Sequence, residues 1–505
     1  MPEAAHRCLS VLFISTFTFW RKGVLMKADY EGFFELVKRA ASAIKSLDRS
    51  KQVRLVSHLD ADGLSAASIM VRALNRENMR YSLSIVQQLN EEVIKGLEKE
   101  NFETLIVTDL GSGQTIPLKQ HLGDRRIIII DHHIPQEEDN EQNEKFIHVN
   151  PHLAGIDGSK EVSGAGVAYF VAEAMDEKNR DLAHIAIVGA IGDVQEEDGF
   201  LELNSRILKT AVEQKKIEVR KGLRFFGAET RPLHKVIEYS SDPYIPGVTG
   251  SESGAIQFLQ SLGISPMNEK RWRKLNDLSE EEMKRLVAGI IMKRSGEAKP
   301  EDVLGNQYIL LDEKEGTHFR TAKEFATVLN ACGRMNKTSI GIGVCLGDPK
   351  LKAKATKVLE SYRKEIVNAL RWFENSPPED RIIRVPGALI INAEDEILHT
   401  IAGTFASILA KSNNLEDNTF ILSIARIDKH QTKVSLRIAG YKPREDIDLR
   451  DVIKELADAV GGEAGGHQYA AGALIPTSKV SEFIEAAKIV LPKRHAEEKI
   501  TLKSE

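Results

Sequence analysis

Side chains that can bind a metal ion recur directly after short apolar runs in the first part of the chain. They are Asp60 and Asp62 in Ser57-His-Leu-Asp-Ala-Asp-Gly63, Asp109 at the end of TLIVTD, the sequence Asp131-His132-His133, and Asp193 in GAIGD. Mixed carboxylate and imidazole ligands without cysteine favour Mn²⁺ or Mg²⁺ over structural zinc. Two such ions about 4 Å apart clamp a phosphoryl group, because one activates water and the other holds the leaving oxygen. The residues therefore predict a two-metal site suited to phosphate chemistry.

Each of these motifs has a simpler interpretation when it is taken alone. Asp-Ala-Asp-Gly superficially matches a calcium loop, but such a loop needs further oxygen ligands and a Glu at its twelfth position. Here Leu64, Ala66 and Ala67 follow instead. A lone Asp after a strand, such as Asp109, commonly caps the next helix, and Asp193 could lie on the surface. It is the combination of motifs that indicates a site.

The segments between these motifs predict the elements that must position them. Val53–Val56, Leu105–Thr108 and Ile127–Ile130 are short β-branched or aliphatic runs, typical of buried strands. Leu64–Asn75 and Glu91–Glu98 have helical periodicity. Strands that alternate with helices predict an α/β fold with a parallel sheet and helices on both faces. Ligands bind at the carboxyl edge of such a sheet, where the acids fall.

Composition sets the limits of the interpretation. A chain of 505 residues exceeds what one core usually serves, so two to four domains are expected. The net charge of -5 is weak evidence against a nucleic-acid binder, since such domains are often basic. Three cysteines without CxxC spacing argue against a disulfide framework or a zinc ribbon, so a cytoplasmic protein is expected.

An apolar stretch near the start of the chain, Cys8–Trp20, is too short to span a bilayer. It lacks a small-residue cleavage site, and Arg21 and Lys22 follow it directly. We therefore expect no membrane association. We interpret residues 1–28 as an extension or a mis-assigned start, with Met26 as the alternative beginning.

In the rest of the chain, the composition and the predicted secondary structure change twice. Residues 201–320 are charged and mostly helical in pattern, and their basic part, Lys209 to Arg224, predicts either a solvated helix face or a path for nucleic acid. Lys350–Asn375 predicts one long linker helix that Pro377-Pro378 stops. A smaller α/β domain should follow, with strands at Ala388–Asn392, Phe420–Ile427 and Lys433–Ile438. The predicted domains are 1–28, 29–200, 201–320 (an inserted helical module), 321–380 (the end of the catalytic lobe with the linker helix) and 381–495.

In their order along the chain, HLDADG, Asp109, DHH and GAIGD resemble the four motifs of the DHH superfamily of metal-dependent phosphoesterases. The segment LNACGRM, Leu329–Met335, looks like one that follows the catalytic domain in RecJ-type exonucleases. Gly461–Gly472 resembles the GGH…AAG motif of the companion DHHA1 substrate-binding domain. The resemblance covers roughly 30–200 and 320–490, and it is closest to archaeal RecJ-like nucleases, the group that includes the GINS-associated nuclease.

The resemblance implies a role for each acid and histidine of the first motifs. Asp109 would bridge two ions, one of which also binds Asp60, while the other also binds Asp62, His132 and Asp193. His133 would meet the scissile phosphate, and Asp131 would orient His132. Small-substrate relatives often place a ligand histidine four residues before the matching Asp, where this chain has Val56. A contact of His58 with phosphate or water is therefore the alternative to a ligand role.

The resemblance also implies substrate contacts in the second half of the chain, namely Asn330, Arg334, His399, Ser435, Arg437, Gly465, Gly466 and His467. Glycines let backbone N–H groups approach a phosphate, although a flexible linker is the alternative for the glycine run. A guanidinium such as that of Arg334 suits phosphate, and a surface ion pair is its alternative.

The implied function is a metal-dependent exonuclease on single-stranded DNA or RNA, linked to replication or repair, with single-stranded nucleic acid and GINS as partners. An oligonucleotide or cyclic-dinucleotide phosphodiesterase is one alternative, and a non-catalytic replisome subunit is another. The long span between Asp193 and Asn330 indicates an inserted module. A eukaryotic replication-fork relative carries a comparable insertion without metal ligands, whereas this chain keeps them, which favours an active nuclease.

Overall fold

The computed structural model describes residues 18–501 except 22–23, 137–141, 197–198, 241–242, 298, 376–377, 379, 412–414 and 441–446. Most of the predicted extension at 1–28, and the predicted helix stop at Pro377, lie outside the described residues. The chain divides into two compact units. One contains the chain up to Gly222 with Asn306–Gly333 and Thr338–Leu351, and the other contains Leu223–Gly305, Arg334–Lys337 and the chain from Lys352.

The first part of the chain alternates strands and helices. Its elements are β1 (Thr18–Arg21), β2 (Val24–Lys27), α1 (Tyr30–Lys45), β3 (Gln52–His58), α2 (Ala61–Arg76), β4 (Arg80–Val86), α3 (Glu91–Glu98), β5 (Thr104–Thr108), α4 (Thr115–Leu122), β6 (Arg126–Ile130), β7 (Phe146–Val149), α5 (Gly164–Met175), α6 (Ala183–Gly192), α7 (Glu202–Glu213) and β8 (Ile217–Leu223).

Five of these strands form one sheet in the order β4-β3-β5-β6-β7, and every neighbouring pair is parallel. Apolar side chains alternate between its faces. Val56, Val107 and Ile129 pack with residues of α3 and α4 on one face, and α2 and α5 contact the strands as well. The predicted parallel sheet with flanking helices is confirmed. The edge strand β4, whose residues are only partly buried, and the short β7 were not predicted.

The next segment has a hydrophobic core of its own. Its elements are α8 (Leu233–Glu238), α9 (Glu252–Ser261), β9 (Met267–Asn268), β10 (Arg271–Trp272) and α10 (Glu280–Lys293). The core runs from Leu223 to Val303 along the chain and includes Phe225, Phe258 and Ile290. The segment is mainly helical, as the sequence predicted, and its apolar core begins at the last residue of β8.

The chain then continues with β11 (Leu304–Leu310), α11 (Ala322–Arg334), α12 (Thr338–Cys345) and α13 (Pro349–Glu374). β11 pairs with β8. Helix α13 has 26 residues and corresponds to the predicted long helix, one residue earlier at each end.

A second sheet occupies the C-terminal part. Its elements are β12 (Ile382–Val385), β13 (Ala388–Glu394), α14 (His399–Ala410), β14 (Phe420–Arg426), β15 (Gln431–Ile438), α15 (Leu449–Asp458), β16 (Glu463–His467), β17 (Ala470–Pro476) and α16 (Val480–Thr501). The strand order is β12-β13-β14-β15-β17-β16, and only β13 and β14 are parallel among these pairs. The predicted smaller α/β domain is confirmed. Among the described helices, none combines the length and the apolar character needed to cross a membrane.

Candidate metal centre

The parallel register brings the ends of three strands into line. Ser57 of β3 pairs with Thr108 of β5, which pairs with Ile130 of β6. The acids that follow these strands therefore share one edge of the sheet. Asp60 caps α2, because its Oδ1 accepts a hydrogen bond of 3.0 Å from the N–H of Gly63. The cap begins the helix directly after the strand and directs its first turn to the same edge.

Asp109 has an unusual backbone conformation at this edge. Its φ of 56° is left-handed, and its N–H donates to the carbonyl of Ile130 at 2.9 Å. Asp tolerates this conformation better than most residues, and such outliers concentrate at functional sites. Both carboxylate oxygens of Asp109 are buried and accept no hydrogen bond from the described residues. Buried carboxylate oxygens without donors are costly unless a cation binds them.

Three overlapping groups of side chains at this edge could each hold a metal ion. The groups are His58 with Asp60 and Asp109, then Asp62 with His132 and Asp193, and finally Asp109 with Asp131, His132 and His133. The structure thus brings together all five predicted metal ligands and the three predicted catalytic residues.

The imidazole of His132 lies at the centre of these groups. Its Nε2 is 3.2 Å from Oδ2 of Asp193, 3.4 Å from Oδ1 of Asp109 and 3.8 Å from Oδ2 of Asp62. Its Nδ1 is 2.7 Å from the carbonyl oxygen of Gly158. A carbonyl can only accept, so Nδ1 carries the proton and Nε2 is the nitrogen that faces the acids. This is the tautomer that a metal-binding histidine requires.

The second histidine of the pair is held differently from the expectation. The carboxylate of Asp131 accepts from Nδ1 of His133 at 2.7 Å and from the backbone N–H groups of His132 and Ser112 at 2.8 and 3.0 Å. The resemblance implied that Asp131 orients His132. In the structure Asp131 accepts from the backbone N–H of His132 and from the ring of His133, whereas the ring Nδ1 of His132 lies against the carbonyl of Gly158.

The pKa values of these side chains reflect the close packing of several acids. Burial, together with the carboxylates of Asp109 and Asp193, raises the pKa of Asp62 well above its ordinary value. Burial opposes protonation of His132, but the same two acids outweigh it and raise the pKa of His132 well above its ordinary value. His58 behaves likewise, because Asp60 and Asp109 raise its pKa against the effect of burial. Protons on Asp62, His132 and His58 thus reduce the repulsion between the neighbouring carboxylates. Bound divalent cations would reduce this repulsion more fully.

Glycines allow these acids to be packed so closely. A Cβ on Gly164, in α5, would lie 2.5 Å from Oδ1 of Asp109, and a Cβ on Gly189, in α6, would lie 2.4 Å from Oδ1 of Asp62. The same Oδ1 of Asp62 accepts from the N–H of Ala165 at 3.1 Å, while its Oδ2 is buried without a donor. The donor set and the unpartnered oxygens fit divalent cations. Gly164 was not predicted, since no motif spacing marks it.

Two predicted substrate residues, Asn330 and Arg334, lie in the C-terminal part of α11. Asn330 uses its side-chain oxygen to accept from the N–H of Ala61 at 3.1 Å, so it supports the first turn of α2. Arg334 forms no hydrogen bond or ion pair with any of the described residues, so the alternative of a surface ion pair is not seen there.

The other predicted substrate residues lie on strands of the second sheet or on helix α14, which contacts it. Ser435 and Arg437 belong to β15, and His399 is the first residue of α14. The glycine run is an exposed strand, β16, with Gly465, Gly466 and His467 on it, and it pairs with β17. It is therefore not a linker within the described residues.

Three domain families match the chain. They are described as the DHH family, N-terminal domain, at residues 52–191, the DHH-CID domain at 225–303 and the DHHA1 domain at 388–492. The last two matches fall on the segment with its own core and on the second sheet.

Two relatives illustrate the range of similarity. An uncharacterized protein of Methanocaldococcus jannaschii is 31% identical over 466 residues, which are 89% of this chain and 96% of that protein. The single-stranded-DNA-specific exonuclease RecJ of Bacillus subtilis is 28% identical over 180 residues, which are 33% of this chain and 22% of RecJ.

Solved structures show the same fold. CDC45 from Entamoeba histolytica has a TM-score of 0.62 at 12% identity, covering 91% of this chain and 99% of CDC45. RecJ in complex with Mn²⁺ from Thermus thermophilus has a TM-score of 0.55 at 16% identity, covering 92% of this chain and 55% of RecJ, so this chain matches about half the length of that protein. With its DHH, DHH-CID and DHHA1 domains, the chain belongs to the DHH superfamily as a RecJ-like protein.

Proposed function

We propose that this protein is a metal-dependent exonuclease that hydrolyses phosphodiester bonds of single-stranded nucleic acid from an end. The observation that carries the proposal is the convergence of Asp60, Asp62, Asp109, His132 and Asp193, the metal centre, with buried oxygens of Asp62 and Asp109 that accept no hydrogen bond from the described residues. Such a set has little structural use, because unpaired buried carboxylates destabilise a fold.

The metal centre would hold two ions, Mn²⁺ or Mg²⁺. Asp60 and Asp109 would bind one, and Asp62, Asp109, His132 and Asp193 the other. When bound, such a pair of ions supplies an activated water and charge stabilisation for the leaving oxygen. His58, whose Nδ1 is 3.0 Å from Oδ2 of Asp60, would contact water or phosphate beside the first ion. The similar RecJ of Thermus thermophilus was solved with Mn²⁺.

The neighbouring residues would act on the substrate phosphate. Burial opposes the charged form of His133, but Asp131 raises the pKa of this histidine above its ordinary value. Asp131 itself stays ionised, since His133, His132 and Ser112 together lower its pKa against the effect of burial. His133 would thus donate a hydrogen bond to a non-bridging phosphate oxygen, held in position by the 2.7 Å bond to Asp131.

The substrate class follows from the second domain and from the relatives. Ser435, Arg437 and His399, with the exposed glycine strand, would bind the phosphates of a strand. Arg334, which has no carboxylate partner among the described residues, would add a cation. RecJ of Bacillus subtilis is named as a single-stranded-DNA-specific exonuclease, which supports this substrate. A role in replication or repair and GINS as a partner rest on the family resemblance, and a cytoplasmic location rests on the three cysteines without CxxC spacing.

The proposal is tested by giving the protein a long end-labelled single strand and a dinucleotide side by side, with Mn²⁺. We expect the long strand to be shortened from one end, and the Asp109→Asn variant to leave it intact. Hydrolysis of the dinucleotide alone would indicate a small-substrate phosphodiesterase instead. A wild-type chain that binds Mn²⁺ and hydrolyses neither would indicate a non-catalytic subunit.

A further inference from the structure

Three side chains of β15 form a row on one face of the second sheet. Lys433, Ser435 and Arg437 alternate along the strand, so they point to the same side. The residues between them, Val434 and Leu436, belong to the apolar core on the opposite side, together with residues of α15 and α16. The row therefore faces away from that core.

Helix α14 contacts β15 and presents small residues to this row. A Cβ on Gly403 would lie 3.1 Å from Nη2 of Arg437 and 3.4 Å from Oγ of Ser435. One turn later, Oγ of Ser407 accepts from Nε of Arg437 at 2.8 Å. Among the described residues, Arg437 also donates to the carbonyls of Leu436 and Ala471, at 2.8 and 3.2 Å. Arg437 is thus held in place by neutral groups.

The charge of Lys433 has fewer polar partners than the charge of Arg437. Its Nζ lies over Gly472, 3.6 Å from where a Cβ on that glycine would be. Among the described residues it forms no hydrogen bond and no ion pair. Burial and the neighbouring Arg437 lower the pKa of Lys433 to about 8. An ammonium group that is partly buried without an ionic partner destabilises the fold unless an anion binds it.

The surroundings of Lys433 offer polar groups to such an anion. Burial and Lys433 lower the pKa of His399, although Asp428 opposes them. His399 begins α14, which has no side-chain cap. The N–H of Ile401 in the first turn already donates to the carbonyl of Leu398, so among the described residues the N–H groups of His399 and Thr400 remain as donors. In line across the sheet from Ser435 are Ser423, whose buried Oγ has no partner among the described residues, and Gly472.

We propose that Lys433 binds a second phosphate of the same strand, beside the phosphate that Ser435 and Arg437 would hold. This inference rests on the proposed function for the identity of the ligand. Four residues along a strand separate the Cα atoms of Lys433 and Arg437 by about 13 Å, at roughly 3.3 Å per residue, so their two cationic groups serve different phosphates. The substrate of this domain is accordingly a strand with at least two phosphates.

The test measures binding of a fluorescent single-stranded oligonucleotide to the full-length chain at several salt concentrations, with a chelator to prevent hydrolysis. For Lys433→Gln we expect affinity to fall roughly 10-fold, as for loss of a charged hydrogen bond. The slope of log affinity against log salt should become shallower by about 0.7, the value for one phosphate contact on a single strand. Lys433→Arg should keep most of the affinity and most of the salt dependence.

The matched control is Lys454→Gln, an exposed lysine on α15, which packs against the opposite face of the sheet. It should change neither affinity nor slope. Thermal unfolding of each variant identifies any general loss of structure, and Lys433→Met provides a second uncharged variant. Equal affinity and slope in wild type and both uncharged variants would overturn the assignment of Lys433 alone. A wild-type chain that does not bind the strand would instead overturn the proposed substrate.

Discussion

Nε2 of His132 lies 3.4 Å from Oδ1 of Asp109, and the other oxygen of the same carboxylate lies 3.6 Å from Nδ1 of His58. Asp109 therefore faces two groups of potential ligands at once, one through each oxygen. Its left-handed backbone places it there, directly after β5. A single carboxylate between two ligand groups is the arrangement expected of a bridging ligand.

Asp109→Asn should abolish hydrolysis while preserving the fold. Asn is preferred to Ala here because it also tolerates the left-handed backbone. We expect turnover to fall by more than about 100-fold, beyond the effect typical of residues that only orient a ligand. In metal-free buffer the free energy of unfolding should stay equal or rise, because Asp109 contributes to the raised pKa of Asp62 and its removal relieves that repulsion. Urea unfolding with a chelator measures this, and retained turnover would contradict the bridging assignment.

Gly189→Ala should weaken Mn²⁺ binding, because the added Cβ would lie 2.4 Å from Oδ1 of Asp62. Alanine usually stabilises a helix by up to about 1 kcal/mol over glycine, so propensity alone predicts a gain in α6. The matched control is Gly96→Ala in α3, where nothing lies within 4 Å of the new Cβ. Calorimetric titration with Mn²⁺ should distinguish the two variants. Equal affinities would show that the packing of Gly189 does not position Asp62.

The segment between β8 and β11 should be removable as a unit. The N–H of Arg224 donates to the carbonyl of Val303 at 2.9 Å, so the two ends of the segment are adjacent. Replacing residues 225–302 with a short Gly/Asn turn removes the core of the segment except for Leu223 and Val303 at its two ends. If the segment docks a partner, single-strand hydrolysis should stay near normal and GINS pull-down should be lost. Loss of long-strand hydrolysis with intact pull-down would indicate a substrate path instead.

The two neighbouring glycines of β16 should respond differently to substitution. A Cβ on Gly465 meets nothing within 4 Å, whereas Gly466 has a φ of 130° and a Cβ there would lie 2.5 Å from the carbonyl of Ala470. Gly465→Val should therefore fold normally and weaken strand binding if phosphate approaches this backbone. Gly466→Ala should lower the melting temperature through backbone strain of about 1–2 kcal/mol. Normal strand affinity in Gly465→Val would remove this glycine from the binding surface.

Strand affinity should decline as the pH rises above about 8, the lowered pKa of Lys433. The free protein loses the Lys433 proton near that pH, and the neutral amine attracts phosphate less. Among the described residues, the titratable groups that face Lys433 are His399, Arg437 and, near His399, Asp428. His399, whose pKa is lowered, is already neutral there. Fluorescence titrations from pH 7 to 9 should show the decline in wild type but not in Lys433→Arg. A flat wild-type profile would contradict a titrating lysine at the site.

The lowered pKa of Lys433 also determines whether its contribution to stability rises or falls with pH. Between the folded pKa of about 8 and the higher unfolded value, the unfolded chain binds more protons. The Lys433 contribution to stability therefore increases with pH across this window, while strand affinity decreases. A lysine whose charge serves strand binding and not stability should show these opposite changes of stability and strand affinity with pH.

Local patterns were sufficient to predict the acids at the sheet edge. Short β-branched runs define β3, β5 and β6, and parallel strands must place Asp60, Asp109 and Asp131 at a common edge. Glu91–Glu98 was predicted with the bounds that α3 has. These features depend on residues that are close together in the sequence, so a local pattern is enough to predict them.

Long-range contacts could not be predicted in this way. The bond of His132 to Gly158 spans 26 residues, and that of Asn330 to Ala61 spans 269. No local pattern tells which carbonyl a ring will meet once helices pack. Lys433 was missed because a lysine near the start of a strand usually extends into water. Only its position beside Gly472 and Arg437, with no ion pair to a carboxylate of the described residues, distinguishes it.

Metal-dependent hydrolysis from an end is best tested with chelator-treated protein, given Mn²⁺ again, on matched linear and circular single strands of equal length. This mechanism requires that the linear strand is hydrolysed from an end, that the circular strand stays intact, and that both stay intact without Mn²⁺. Cleavage of the circular strand at a comparable rate, or no cleavage of the linear strand by protein that has bound Mn²⁺, would contradict it.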